Sequence, residues 1–569
     1  MHDLVIRNAT LVDGSGTPAR PADIAVSDGI ISDVTEPGAA AAGRREIDAD
    51  GLLVTPGWVD VHTHYDAQAS WDPYLTPSSW HGVTSVVMGN CGVGFAPAAP
   101  DRHEWLIEMM EGVEDIPGSA MTEGMQWEWE SFEEFLDSLD ARHYAIDLGT
   151  QIAHGPVRGY VMGDRGAANE PATPHDIAEM SAIVESGLRA GALGFSTSRT
   201  PLHKSLAGEL VPGTHATADE LLGIADALGR VGHGVFQFAP DHVEVPVSEM
   251  PWMRDIARRT GRTVSVNLNQ PDSAPELWRE VLAQLDDARN EGLSIVAQIA
   301  GRSVGLLMCL EGSFNPLDFH PAYAPISQLS LADRVQALQT PELRMALRVE
   351  PERDLFRNVV LDKLESWWAV ADGDIDYEPH ADDSIAAVAQ RTGVHPIDLI
   401  IDQLCAHDGH GMILTPFFNY AYGDLSFQYE AHQHPSTRMG LADAGAHCRV
   451  ICDGGTPTFM LTHWTRDRRR GPTLPIELIV HRQTRQTAEL YGLNDRGLIA
   501  PGMRADINII DYDRLTFGPP RMAYDLPGGA NRLVQKADGY VATFVNGVQT
   551  VDNDEFTGEL PGRLIRGPR

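Results

Sequence analysis

Hydrophobic and polar positions change rhythm twice along this chain. Over residues 2–54 the segments LVIRNATLV, DIAVSDGIISDV and GLLVTP alternate apolar with polar residues, and Asp-Gly pairs fall at 13–14, 28–29 and 50–51. A period of two with such turns predicts short antiparallel strands. The rhythm returns in ADINIIDYDRL and GYVATFVNGVQTV, the second carrying an Asn546-Gly547 hairpin turn. Strand-rich ends around a different middle predict one small β-sandwich domain built from both termini, residues 1–55 and 495–569.

In the middle, short apolar runs alternate with helical patterns. After two runs near residues 58–64 and 82–88, strands are expected at 147–152, 192–197, 234–238, 263–268, 294–299 and 439–442. Helical periodicity occupies 177–189, 217–228 and 274–290, and Thr217-Ala218-Asp219-Glu220 has the spacing of a capping box. Eight strands with crossover helices predict an α/β fold, a (β/α)8 barrel over 56–494 with its chemistry at the C-terminal strand ends. Between the seventh and eighth strands, at 303–435, lie about 130 residues in excess of a plain connection. Helical stretches at 331–339, 384–390 and 396–402, the aromatics Phe314, Phe319, Trp367 and Trp368, and the run PFFNYAYGD predict a helical insertion over the barrel mouth, acting as a substrate lid.

Composition narrows the function classes. A chain of 569 residues with 43% hydrophobic content supports a large core. No apolar run reaches about 18 residues, so no spanning helix is expected. The opening MHDLVIRNATLVDG lacks the basic and apolar regions of a signal peptide, so cytoplasmic residence is expected. Five scattered cysteines do not suit a disulfide framework. The formal charge of −37 opposes binding to nucleic acid or an anionic membrane. It leaves a small molecule as the expected partner and a homo-oligomer open.

The chemistry concentrates in PGWVDVHTHYDAQASWDPYLTPSSWHGVTSVVMGNCGVGFAP, residues 56–97. His62 and His64 stand two apart at a strand end, so both imidazoles face one way. Two neutral imidazoles converging on one point suit a divalent ion such as zinc. Cys91, in the glycine-rich turn Gly89-Asn90-Cys91-Gly92 at the end of another apolar run, is placed as a further ligand rather than core filler.

PGWVDVHTHYDAQ followed by HGVTSVVMGNCGVGFAP resembles the amidohydrolase superfamily, and within it the N-acyl-D-amino-acid deacylases. The GNCG cysteine distinguishes that branch. The resemblance implies a metal-dependent hydrolase cleaving a non-peptide C–N bond, acting on a small-molecule amide, an N-acylated amino acid. It also assigns Asp443, in GLADAGAH, to the end of the eighth strand as a metal ligand. There Asp443 takes the proton of the attacking water and returns it to the leaving nitrogen. The chain departs from the family at strands five and six, where each strand end should carry a histidine. Here the runs are VFQFAPDH and VSVNLNQ, offering Gln237, Asn267 and Asn269, and neutral amides are poor zinc ligands. His242 would substitute only if the fifth strand were shifted. The expected shell is therefore His62, His64, Cys91 and Asp443 around one zinc ion per chain.

Candidate substrate contacts are Arg302, Lys204, Gln237, Asn267 and His447, with Ser196, Gln298 and Tyr65 behind them. Arg302 offers a planar fork to a carboxylate, and Lys204 offers either a carboxylate contact or, by the resemblance, a carboxylated ligand. Cys448 and Cys452 read as packing residues. A cyclic amidase and a ligand-binding barrel without turnover stand as alternatives.

Overall fold

The computed structural model describes all residues except 352–357, 359, 372–374 and 569. Both termini enter one nine-stranded sheet. The strand Leu53–Pro56 is its seam. It pairs in parallel with His2–Leu11 and antiparallel with Ile507–Ile510, Ile507 opposite Pro56 and Ile510 opposite Leu53. His2–Leu11 also pairs with Gly43–Asp48 over its first residues, so the sheet forks there. Ile6, Leu11, Ile24, Val54, Ile507 and Phe544 fill one face. Asn546 and Gly547, both at positive φ, turn Tyr540–Val545 into Val548–Asp552 as the Asn-Gly pair predicts.

The middle is built on parallel strands that are buried throughout. Trp58–Asp60, Val83–Met88 and Asp147–Thr150 are hydrogen-bonded side by side. After a break of one residue at Gln151, Ile152–Ala153 continues the series through Gly194–Ser198, Val235–Ala239, Val264–Asn267, Ile295–Ile299 and Thr437–Met439. A parallel bridge joins Thr63 to Ala444, and His64 N–H donates to the Ala444 carbonyl at 2.8 Å. The expected strand at 439–442 is displaced: it ends at Met439, and Asp443 stands in the loop beyond it. Helices Pro174–Ala190, Ala218–Val231 and Leu277–Asn290 occupy the three predicted positions. Thr217 caps its helix by accepting from Glu220 N–H, but the box is not completed. The Glu220 carboxylate is drawn instead to His154 and Arg158, at 3.1 and 2.8 Å, because two buried donors outbid one exposed amide.

The 303–435 segment is not purely helical. Val304–Met308, Ile413–Phe418 and Trp368–Ala369 form an antiparallel sheet, and the PFFNYAYGD run is the end of its central strand and the turn after it. Around that sheet lie helices Leu331–Leu338, Ile385–Thr392 and Pro396–Gly409. Met308, Leu317, Leu338, Trp367, Ile400 and Leu404 give it a core of its own.

The terminal sheet and the parallel strands interlock at Gly82. Its carbonyl accepts from Trp58 N–H (3.1 Å) and from the Asn508 side chain (2.8 Å), while Trp58 Nε1 donates to Tyr540 Oη (3.2 Å). Gly82 has φ +74°, and an added Cβ would lie 2.4 Å from the Tyr540 ring. Gly82→Ala is therefore expected to destabilise the protein by about 1–3 kcal/mol, through overpacking against a buried ring. A thermal-unfolding comparison with wild type checks it, and an unchanged midpoint would contradict it.

Candidate metal centre

His62 and His64 follow the Trp58–Asp60 strand in extended backbone, which brings both rings to the same side with their centroids 5.5 Å apart. Cys91 reaches them from a turn in which Gly89, Cys91 and Gly92 all adopt positive φ. A Cβ on Gly92 would meet backbone atoms of Thr197 and Ser198 within 2.7–2.8 Å, so only glycine lets the turn lie that close. Asp443 closes the group. His62 Nε2 is 3.1 Å from Asp443 Oδ1 and 3.3 Å from Cys91 Sγ, and His64 Nε2 is 3.6 Å from the same carboxylate oxygen. The donor atoms of His62, His64 and Cys91 all lie within 4.8 Å of one another. Around a tetrahedral ion bound at zinc–ligand lengths, donors sit about 3.3–3.7 Å apart. The His62–Cys91 and His64–Asp443 contacts fall in that range, and His62 stands slightly closer to Asp443.

The electrostatics of the group also call for a cation. Burial opposes charge on His62, yet the neighbouring Cys91 and Asp443 raise its pKa to about 10. Against the same burial, His62 and His64 hold Asp443 well below the ordinary carboxylate range and lower the Cys91 thiol. A thiol and a carboxylate that both favour their anions in a water-poor setting balance their charge either by protonating the histidines or by binding a cation.

Each donor is oriented by a neighbour from a different element. His62 Nδ1 lies 2.7 Å from Gln298 Oε1, whose own amide nitrogen donates to Ser265 Oγ at 2.9 Å. A carbonyl acceptor there places the proton on Nδ1 and leaves the Nε2 lone pair free. Gly440 makes room for this contact, since a Cβ would sit 2.6 Å from Gln298 Oε1. Gln237 Oε1 accepts from Cys91 N–H (2.9 Å), Gln237 Nε2 donates to Asn267 Oδ1 (2.9 Å), and Asn267 Nδ2 approaches Cys91 Sγ (3.5 Å). The amides at the ends of the fifth and sixth strands thus form a relay around the cysteine.

Several expected substrate contacts are placed elsewhere. Gln237 is fully buried and serves the Cys91 turn. Asn267 does reach the cavity wall. Arg302 is 1% exposed, 2.8 Å from Asp453 Oδ1 and stacked 3.5 Å from the Tyr377 ring centroid, so its Nε and Nη2 are engaged internally while Nη1 is buried without a hydrogen-bond partner. Lys204 is exposed on a loop whose backbone bridges to Leu210, outside the cavity lining. It stands apart from the donor group of His62, His64 and Cys91. Ser196 clamps the cysteine turn, donating to the Gly89 carbonyl and accepting from Gly92 N–H. The Tyr65 hydroxyl pairs with Ser78, and Cys448 and Cys452 are buried free thiols.

His447 does face the cavity, its side chain 32% exposed. Its partner, Glu114, carries no sequence motif. From the last turn of helix His103–Glu114 this buried carboxylate stands 3.4 Å from His447 Nε2 and 3.4 Å from His64 Nδ1. His203 and His242 line the same cavity without joining the donor group. Val304, Leu306, Phe417 and Phe418 of the 303–435 segment complete its wall, enclosing about 310 Å³.

Residues 45–551 match the family model described as "Amidohydrolase family". An N-acyl-D-aspartate deacylase of Alcaligenes xylosoxydans xylosoxydans is 27% identical over 573 residues, covering 99% of this chain and 95% of that one. Among solved structures, a D-aminoacylase described for its binuclear metal centre superposes with a TM-score of 0.66 at 22% identity, all of both chains being covered. The N-acyl-D-glutamate deacylase of Bordetella bronchiseptica, solved with zinc and a phosphonate inhibitor, gives 0.65 at 23%, again over both whole chains. At these identities the two structures establish a shared mixed α/β fold.

Two substitutions test the assignments above. Gln298→Ala removes the acceptor that orients His62 and is expected to weaken divalent-metal affinity about 10–100-fold, measured by competition with a chromophoric chelator. Arg302→Met leaves Asp453 buried without its counter-charge and is expected to cost about 3–5 kcal/mol of stability, with KM unchanged. Adding Asp453→Leu should recover most of that loss. A raised KM with intact stability would restore Arg302 to the substrate.

Proposed function

The chain belongs to the amidohydrolase family, and from that premise we propose that it hydrolyses a carbon–nitrogen amide bond outside peptides, removing the acyl group from an N-acylated amino compound. The observation that carries this reading is the convergence of the His62, His64 and Cys91 donor atoms within 4.8 Å of one another on a cavity wall, with Asp443 Oδ1 3.1 Å from His62 and 3.6 Å from His64. We read the parallel strands as a (β/α)8 barrel over 56–494, with the 303–435 insertion at its mouth. The chain ends, 1–55 and 495–569, make the accompanying β-sandwich. N-acylated amino acids are the substrates that the names of its relatives carry.

His62, His64, Cys91 and Asp443 would hold one divalent ion, and zinc suits their mixture of nitrogen, sulfur and oxygen. When bound, such an ion polarises the amide carbonyl and makes water acidic enough to attack near neutral pH. The one-ion reading is supported by the single donor group found among the described residues, and by Gln237 and Asn267, whose amides are spent on each other and on Cys91. Asp443 is the proton carrier. It is held ionised by His62 and His64 while 19% of its side chain faces the cavity, so it can take a proton from water and return it to the departing nitrogen. His447, held by Glu114, offers a hydrogen bond to the carbonyl side of the substrate. The apolar walls exclude bulk water and strengthen these interactions.

Asp443→Asn is nearly isosteric and removes the basic oxygen. It is expected to lower kcat about 10³–10⁴-fold with the fold and much of the metal retained. His62→Ala is expected to lose the metal. Elemental analysis of wild type should give one equivalent of metal per chain. Two full equivalents, or activity in metal-free protein, would overturn the one-ion reading. An Asp443→Asn enzyme keeping more than about a tenth of the rate would move the proton-carrying role to another residue, His447 first.

A further inference from the structure

The cavity beside the metal ligands neighbours a second chamber of about 670 Å³ beneath the 303–435 segment. The two share Thr200, Leu202, His242, Leu306, Phe417 and Phe418, so they adjoin along these side chains. Each lies in the range of small-molecule pockets, which bury most of a drug-sized ligand. The outer walls are apolar, among them Met308, Phe314, Phe319 and Trp367. The rim keeps the same character, with Leu202 52%, Val243 42% and Phe417 48% exposed. Three large apolar side chains left half in water at a pocket mouth mark a surface that meets an apolar ligand.

The inner cavity has a complementary feature. Among the described residues that line it there is no lysine or arginine. Arg302 is buried with Asp453, and Arg199 is turned to Glu249. Among the described residues of the outer chamber Lys363 is the one such cation, 3.6 Å from Asp272. The inner walls instead carry the acidic side chains Asp443 and Glu114 and the thiol of Cys91, beside His62, His64, His203, His242 and His447. A free carboxylate next to the scissile bond would meet no lysine or arginine among the described lining residues and would share the space with the Asp443 and Glu114 side chains, which disfavours it.

We propose that the substrate of this site is an amide uncharged around its scissile bond, carrying a bulky apolar group, aromatic or long aliphatic, that fills the chamber under the insertion. This rests on the amide-hydrolysis reading above and specifies its substrate class. The free-acid N-acyl amino acids are thereby poorer substrates than amides of the same shape without the carboxylate. The scissile carbonyl lies at Asp443 and Asn267, and the apolar group passes between Leu306 and Phe418 into the outer space.

The test compares three probes on the zinc-loaded full-length enzyme: N-acetyl-phenylalanine, N-decanoyl-phenylalanine and N-decanoyl-phenethylamine, the first two in both enantiomers. The decanoyl compounds are expected to exceed the acetyl ones in kcat/KM by at least about tenfold, and removal of the carboxylate is expected to raise kcat/KM further. Leu306→Trp, which narrows the space between the chambers, should lower the ratio of kcat/KM for the decanoyl probes to that for N-acetyl-phenylalanine about tenfold or more. Faster turnover of acetylated free acids would overturn the proposal while leaving amide hydrolysis standing. If no probe is hydrolysed, calorimetric binding of N-decanoyl-phenethylamine to zinc-loaded Asp443→Asn decides. Binding that Leu306→Trp weakens upholds the apolar site and sinks the hydrolase reading, whereas no binding sinks the proposal.

Discussion

The structure depends on a charge problem solved at one buried point. Cys91 and Asp443 both favour their anionic forms where little water reaches them, and His62 and His64 are the neutralising groups beside them among the described residues. Concentrating four donors in this way costs desolvation energy, and a divalent ion offsets that cost with charge and bonds together. The rest of the site follows from keeping those donors in place. Gln298 aligns His62, Glu114 stands behind His64, Ser196 clamps the turn of Cys91, and Gln237 with Asn267 supports its backbone and sulfur. They come from different strands and helices, so the donor geometry is only as accurate as the packing of those elements.

The two amides show how a changed residue can keep a position and exchange its task. Imidazoles at the ends of the fifth and sixth strands could bind a second ion, whereas Gln237 and Asn267 satisfy each other and the cysteine turn. A neutral amide adds no charge to a site already rich in anions, and both its donor and its acceptor find partners, as burial demands. The thiol then belongs to the same donor group as His62 and His64. The rest of the cavity wall comes from other elements. The 303–435 segment supplies Val304, Leu306, Phe417 and Phe418 from its own antiparallel sheet, so the wall can change without disturbing the metal ligands.

Much of this was determined by local sequence. The spacing of His62 and His64, the glycines about Cys91 and the Asn546-Gly547 hairpin depend on backbone geometry over a few residues, which short patterns encode directly. The parallel strands were legible as buried apolar runs, and Asp443 through its resemblance to a family motif. Tertiary structure alone decided the fate of residues whose partners are distant in the chain. Arg302, with the right chemistry for a substrate carboxylate, is taken up by Asp453 about 150 positions away; Glu114, one acid among many on an ordinary helix, is delivered to His64 and His447. The physical reason is the same in both cases. A charged side chain has no fixed role until folding sets which opposite charge it meets and how much water it keeps, and the interaction energy changes severalfold with that environment.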